Sequence, residues 1–125
     1  MAKSSMASSV TDLRPSTKGH NLTVKVLEAV QVAQHRSRVP VAECLVGDET
    51  GTIILAVRNS EQVEKAKPGS YLTLTNAKVE MYRGTMRLAV DKWGSLETAE
   101  GASFQPKVDN NMSLIEFELV PFDTI

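Results

Sequence analysis

Residues 41–58 read VAECLVGDETGTIILAVR, and their alternation decides the architecture. Val41–Val46 has the period of a strand, Gly47–Gly51 the composition of a turn, and Thr52–Arg58 the period of a second strand. Ala42, Cys44 and Val46 would share a face with Ile53, Leu55 and Val57, while Glu43, Thr52, Ala56 and Arg58 point the other way. Asp48 and Thr50 can hydrogen-bond to nearby backbone, and Gly51 tolerates a positive φ, so the turn has a mechanism. A hairpin this apolar on one side needs a closed or stacked sheet to bury it.

The flanking sequence supplies the rest of such a sheet. Residues 1–10 are small and polar and predict a disordered tail, leaving 11–122 as a single domain. Leu22, Val24 and Val26 alternate within a long first strand, Asn21–Val32, bent near Glu28 and Ala29. Gln34–Pro40 is a polar connection. Asn59–Lys67 changes period: Asn59 or Ser60 can cap a helix of one or two turns, with Val63 and Ala66 as its apolar stripe, and Pro68-Gly69 stops it. Tyr71–Met81 alternates with a change of parity that predicts a bulge near Thr75-Asn76. Tyr82–Thr85 is a hairpin turn, and Met86–Val90 alternates again, with a continuation toward Leu96. Leu114–Val120 has the alternation of an extra C-terminal strand, a short helix being the weaker reading. Five main strands with a short helix between the third and fourth predict an all-β, five-stranded Greek-key OB-fold barrel. A sandwich needs more strands than this length provides.

At 125 residues the chain suits one domain with a real core. No stretch approaches the roughly 20 apolar residues of a membrane span, and no apolar segment of a secretory signal is seen. Cys44, the single cysteine, falls on an apolar strand face and reads as a buried thiol suited to an intracellular, reducing setting, nucleus or cytoplasm. The net charge of −1 is unevenly spread. From Arg14 to Lys92 there are 12 Lys and Arg against 8 Asp and Glu, and from Trp93 onward only Lys107 against six acidic residues. A mildly basic body therefore carries an acidic end.

No GxGxxG, Walker, HExxH or GxSxG pattern is present, and His20 and His35 have no acidic or cysteine partner nearby in sequence. The expectation is a protein without catalytic residues, metal or cofactor. What remains is the outer wall of the barrel, where OB-folds bind oligonucleotides. Arg36, Arg38, Arg58, Lys78, Arg83, Arg87 and Lys92 are its candidate phosphate contacts, and Tyr82 and then Trp93 its candidate stacking platforms. Tyr82 reads equally as a platform or as a partly buried cap of the barrel. Trp93 reads better as such a cap. The expected ligand is single-stranded DNA or RNA. The alternative is a protein-interaction module docking a larger complex, motivated by the near-neutral charge, the few aromatics, apolar Leu45 and Ile54 on the same wall, and the C-terminal strand edge.

CLVGDETGTIILAV, the Pro68-Gly69 pair, NAKVEMYRGTMRLAVDKWG and NNMSLIEFELV together resemble the small plant OB-fold proteins related to the SOSS B family, the single-stranded-DNA-binding members of the sensor-of-ssDNA complex. The resemblance spans about residues 11–122. It implies single-strand binding and a link to DNA repair or RNA metabolism. It also implies that four stacking positions of the animal relatives fall on Arg58, Lys78, Tyr82 and Ala89, so that only Tyr82 keeps a ring.

Overall fold

The computed structural model describes residues 8–28, 31–33 and 41–118. The strands are β1 (His20–Val26), β2 (Gln31–Ala33), β3 (Val41–Asp48), β4 (Gly51–Val57), β5 (Tyr71–Tyr82), β6 (Thr85–Ala89) and β7 (Ser95–Ala99), with helix α1 (Ser60–Lys65) between β4 and β5. Hydrogen bonding runs β1–β3–β4–β6–β5, and β5 returns to β1, so the sheet closes into the expected OB barrel. All these pairings are antiparallel except β4 with β6. Closure removes the sheet edges that an open sheet of this size would expose.

Alternation fills the barrel. Leu22, Val24, Val26, Val46, Ile53, Leu55, Leu72, Leu74, Met86 and Leu88 are buried inside, as their periodicity requires. Cys44 joins them, and burial pushes its thiol up to about 12, which removes it as a nucleophile at neutral pH. The bulge is where parity placed it: Leu22 faces Leu74 but His20 faces Ala77, and Asn76 takes up the extra residue at φ 55° while its N–H donates to Asn21 Oδ1. The long first strand is two, β1 and β2, both antiparallel to β3.

Four details depart from the sequence reading. The extra strand is β7, which extends the sheet beyond β5, and not Leu114–Val120. Met112–Leu114 is a 3-10 turn, residues 115–118 follow without regular structure, and Leu119 and Val120 lie outside the described residues. The inward face of α1 is Gln62 and Ala66, and Val63 is exposed. Gln62 wins the position because its amide joins the ends of β4 and β6 that meet there: Oε1 accepts from Arg58 N at 2.9 Å and Nε2 donates to Val90 O at 3.1 Å. Ser8–Val10, expected in the tail, pack: Val10 and Leu13 are fully buried, and Val10 N donates to Asp48 Oδ2 at 3.0 Å. Gly51 serves close approach and not a positive φ, since a Cβ there would sit 2.7 Å from Asn110 O.

That last contact belongs to a clasp. Lys107 N donates to Asp48 O, Thr52 N to Asn110 O, and Asn110 Nδ2 to Thr50 O, each at 2.9 Å, so residues 107–111 grip the β3–β4 hairpin tip. Ser113 then inserts its hydroxyl where β4 and β6 part: Oγ accepts from Ile54 N at 2.9 Å and donates to Met86 O at 2.6 Å.

Candidate nucleic-acid interface

The register sets out the wall. Glu43, Ala56, Ala89 and Lys78 form one row across β3, β4, β6 and β5, and Leu45, Ile54, Arg87 and Glu80 form the next. Tyr82 stands at the end of β5, opposite Thr85, and Arg58 follows β4. The structure thus brings Arg58, Lys78, Tyr82, Arg83 and Arg87 to one side of the barrel, joined by Lys92 through the turn after β6. Arg36 and Arg38 lie outside the described residues. Thr52, expected on this wall, is 0% exposed because Asn110 and Asn111 cover it. Ala56 and Ala89 are also buried, being too short to rise above their charged neighbours.

The wall is not a bare cationic groove. Arg58 is paired with Glu80, Lys78 bridges Glu80 and Asp91 at 3.1 Å each, and Arg87 Nε meets Glu43 Oε2 at 3.2 Å. The carboxylates of Glu80 and Asp91 hold the Lys78 ammonium above its ordinary range. Asp91 is held below the carboxylate range, first by the Trp93 N–H and then by Lys78. Three cations and three anions therefore neutralise one another. A count of Lys and Arg could not reveal this, because the partners are up to 44 residues apart in sequence.

At the β5–β6 turn the arrangement changes. Arg83 and Gly84 adopt φ 51° and 84°, the pair of positive values of a two-residue type I′ hairpin. Arg83 holds this conformation without the glycine's freedom, and it brings its guanidinium to 5.3 Å from the Tyr82 ring centroid. Arg87 approaches the same ring at 5.4 Å. Tyr82 is 39% exposed, so its side chain lies partly in solvent beside these two charges. The chain leaving Ser113 reaches this turn, where Phe117 N donates to Gly84 O at 2.7 Å.

Trp93 is where the sequence misleads. It is 73% exposed and caps nothing. The available signal is its place between Asp91 and Gly94, a turn composition that lifts a side chain off the sheet.

The model of the family described as single-stranded DNA binding protein Ssb-like, OB fold, matches residues 13–98. The chain belongs to this Ssb-like family. It is 47% identical over 124 residues to the Arabidopsis thaliana protein At4g28440, covering 89% of this chain and 80% of that one. To the single-stranded DNA binding protein Ssb of Saccharolobus solfataricus it is 31% identical over 86 residues, 66% of this chain and 57% of that protein. Among solved structures, the hypothetical protein F20O9.120 of Arabidopsis thaliana superposes with a TM-score of 0.76 at 43% identity, covering 93% and 88% of the two chains. Pot1pC of Schizosaccharomyces pombe, solved bound to ssDNA, superposes at 0.58 with 12% identity over 77% and 88%, a likeness of fold alone. Within the Ssb-like chain, no group of three or more His, Cys, Asp or Glu able to hold a metal ion occurs among the described residues.

Proposed function

We propose that this Ssb-like chain is a non-catalytic binder of single-stranded nucleic acid, DNA or RNA, with little sequence preference. The observation that carries this reading is Tyr82, a partly exposed aromatic ring with two guanidinium groups at 5.3 and 5.4 Å, at the edge of a charged strand wall. A base stacks on the ring, Arg83 and Lys92 meet phosphates, and Arg58, Lys78 and Arg87 contribute as their carboxylate partners allow. Membership of the Ssb-like family supports the ligand class. The resemblance to the SOSS B family would place such binding in DNA repair, and a role in RNA metabolism fits the same wall.

Fluorescence anisotropy with labelled oligo-dT and oligo-U tests the reading: both should bind at low salt, and no binding of either would sink it. The salt dependence carries further information. Of the five described candidate cations only Arg83 and Lys92 have no carboxylate partner among the described residues, so the slope of log K against log salt should be about −1 to −2. A slope near about −3.5, as if all five engaged phosphate, would contradict the paired wall.

Glu80 competes with phosphate for Arg58 and Lys78 together. Glu80→Gln keeps the side chain's shape and removes its charge. Affinity should rise about three- to tenfold at low salt, on the order of 1 kcal/mol for one nearby charge in a solvated setting. Unchanged or weaker binding would mean that Glu80 positions the cations and does not compete with the ligand.

A second reading, a module docking a larger protein, is favoured by one observation: Leu114, Ile115 and Phe117 expose apolar surface beside the β5–β6 turn. Partner recovery that survives nuclease treatment, with oligonucleotide binding absent, would select it.

A further inference from the structure

We propose that Trp93 and the cleft beside it form a second base-stacking subsite, which takes an unpaired nucleobase as the strand leaves the wall. This rests on the reading above that the wall binds single strands. A lone exposed aromatic is ordinary and means nothing by itself. Here four features coincide.

The backbone of Trp93 is fixed: its N–H donates to Asp91 Oδ1 at 2.9 Å, its carbonyl accepts from Asn76 Nδ2 at 2.9 Å, and Gly94 N donates to Asp91 O at 3.0 Å. The indole is therefore presented from a rigid turn, and it loses little freedom when a ligand stacks on it. Lys92 Nζ stands 5.1 Å from the ring centroid, so a cation able to meet a phosphate lies next to the stacking surface. The ring borders a cleft of about 650 Å³ whose other walls include Arg58, Asn59, Val90 and Leu96. That volume is within the usual range for small-molecule sites. Finally, Arg58 belongs both to the cleft and to the wall, and Asp91 ties the Trp93 turn to Lys78, so the two surfaces are continuous.

The charges in the cleft select the kind of group that enters. Glu61, Asp91 and Glu97 line it against Arg58 and Lys92. Lys65 pairs with Glu61 and Glu97, and Lys78 with Asp91, so the lining is close to neutral and holds no surplus of cations for a free phosphate. A neutral flat base suits such a lining, and its backbone phosphate can stay outside on Lys92.

Trp93 is the only tryptophan of the chain, so its emission reports this subsite alone. The full chain is titrated with oligo-dT of about twelve nucleotides, within the span of one OB-fold site. Anisotropy of a label on the oligonucleotide and intrinsic emission of the protein are followed together. The expected result is quenching that saturates with the anisotropy, a loss of affinity of about fivefold or more in Trp93→Ala, and recovery of most of it in Trp93→Phe. Far-UV circular dichroism of Trp93→Ala should be unchanged, since the side chain stands mostly in solvent. Quenching should persist in Tyr82→Ala at concentrations that restore binding. Anisotropy binding with unchanged emission and unchanged affinity of Trp93→Ala overturns the subsite and leaves the wall intact. Absence of both signals at low salt removes the wall reading, and the subsite with it.

Discussion

Tyr82→Ala is expected to weaken oligo-dT binding about tenfold to a hundredfold, while Tyr82→Phe stays within about threefold of the parent. A base–aromatic stack is worth about 1–3 kcal/mol, and here the ring also anchors two guanidinium groups. Deleting it removes the platform and lets Arg83 wander, since Arg83 lies on an exposed hairpin turn with no carboxylate partner among the described residues. Arg87 stays in place through Glu43 and through Thr85 Oγ1, to which its Nη1 donates at 2.8 Å. The barrel itself should be nearly indifferent: the ring lies outside it, and surface changes usually cost under about 0.5 kcal/mol. Anisotropy titration at one fixed low salt concentration measures the effect, with urea unfolding as the control. A change of less than about twofold in Tyr82→Ala would mean that the ligand does not reach this end of β5.

Ser113→Ala should destabilise the fold by about 2–4 kcal/mol, out of proportion to the loss of one oxygen atom. The hydroxyl satisfies two buried backbone groups, Ile54 N–H and Met86 C=O, at the point where the parallel strands β4 and β6 separate. Alanine leaves both unpaired, and each buried orphan costs about 1–3 kcal/mol. Water entering the site would lower the cost, but Ser113 is buried and its neighbours Thr52 and Met86 are fully enclosed. Leu114→Ala, one residue along and 75% exposed, is the matched control and should change stability by under about 0.5 kcal/mol. Urea unfolding followed by circular dichroism gives both values, with an unchanged m as the sign that only stability moved. Equal behaviour of the two variants would show that the residue 107–113 clasp is not part of the cooperative unit. Faster amide exchange at Ile54 in Ser113→Ala would identify local opening of the clasp as the cause.

These two residues also mark how far the sequence can be read. Tyr82 is legible as a candidate because a tyrosine before Arg-Gly in a hairpin stands at a strand end, which is a local fact. Ser113 gives no signal, since a serine in a polar stretch looks alike whether it is solvated or inserted between two strands. The cations divide in the same way. Parity alone puts Arg58, Lys78 and Arg87 on the wall, but their pairing with Glu80, Asp91 and Glu43 depends on which strands become neighbours. Trp93 misleads because large aromatics are usually buried, and only the turn tied to Asp91 and Asn76 holds this one outward.

What the amino-acid order determined by itself was whatever acts within a few residues: the inward and outward faces of β3 to β6, the bulge at Asn76, the cap at Asn59 and the turn at Gly84. Those follow from side-chain period and backbone preference, which need no partner. What only the tertiary structure decided was where the unpaired groups found partners: Gln62 between the ends of β4 and β6, Asn110 and Ser113 over the hairpin, three carboxylates on the outer wall. Strand closure brings together residues far apart in the chain, and hydrogen bonds and ion pairs act over a few ångströms of space and not along the sequence.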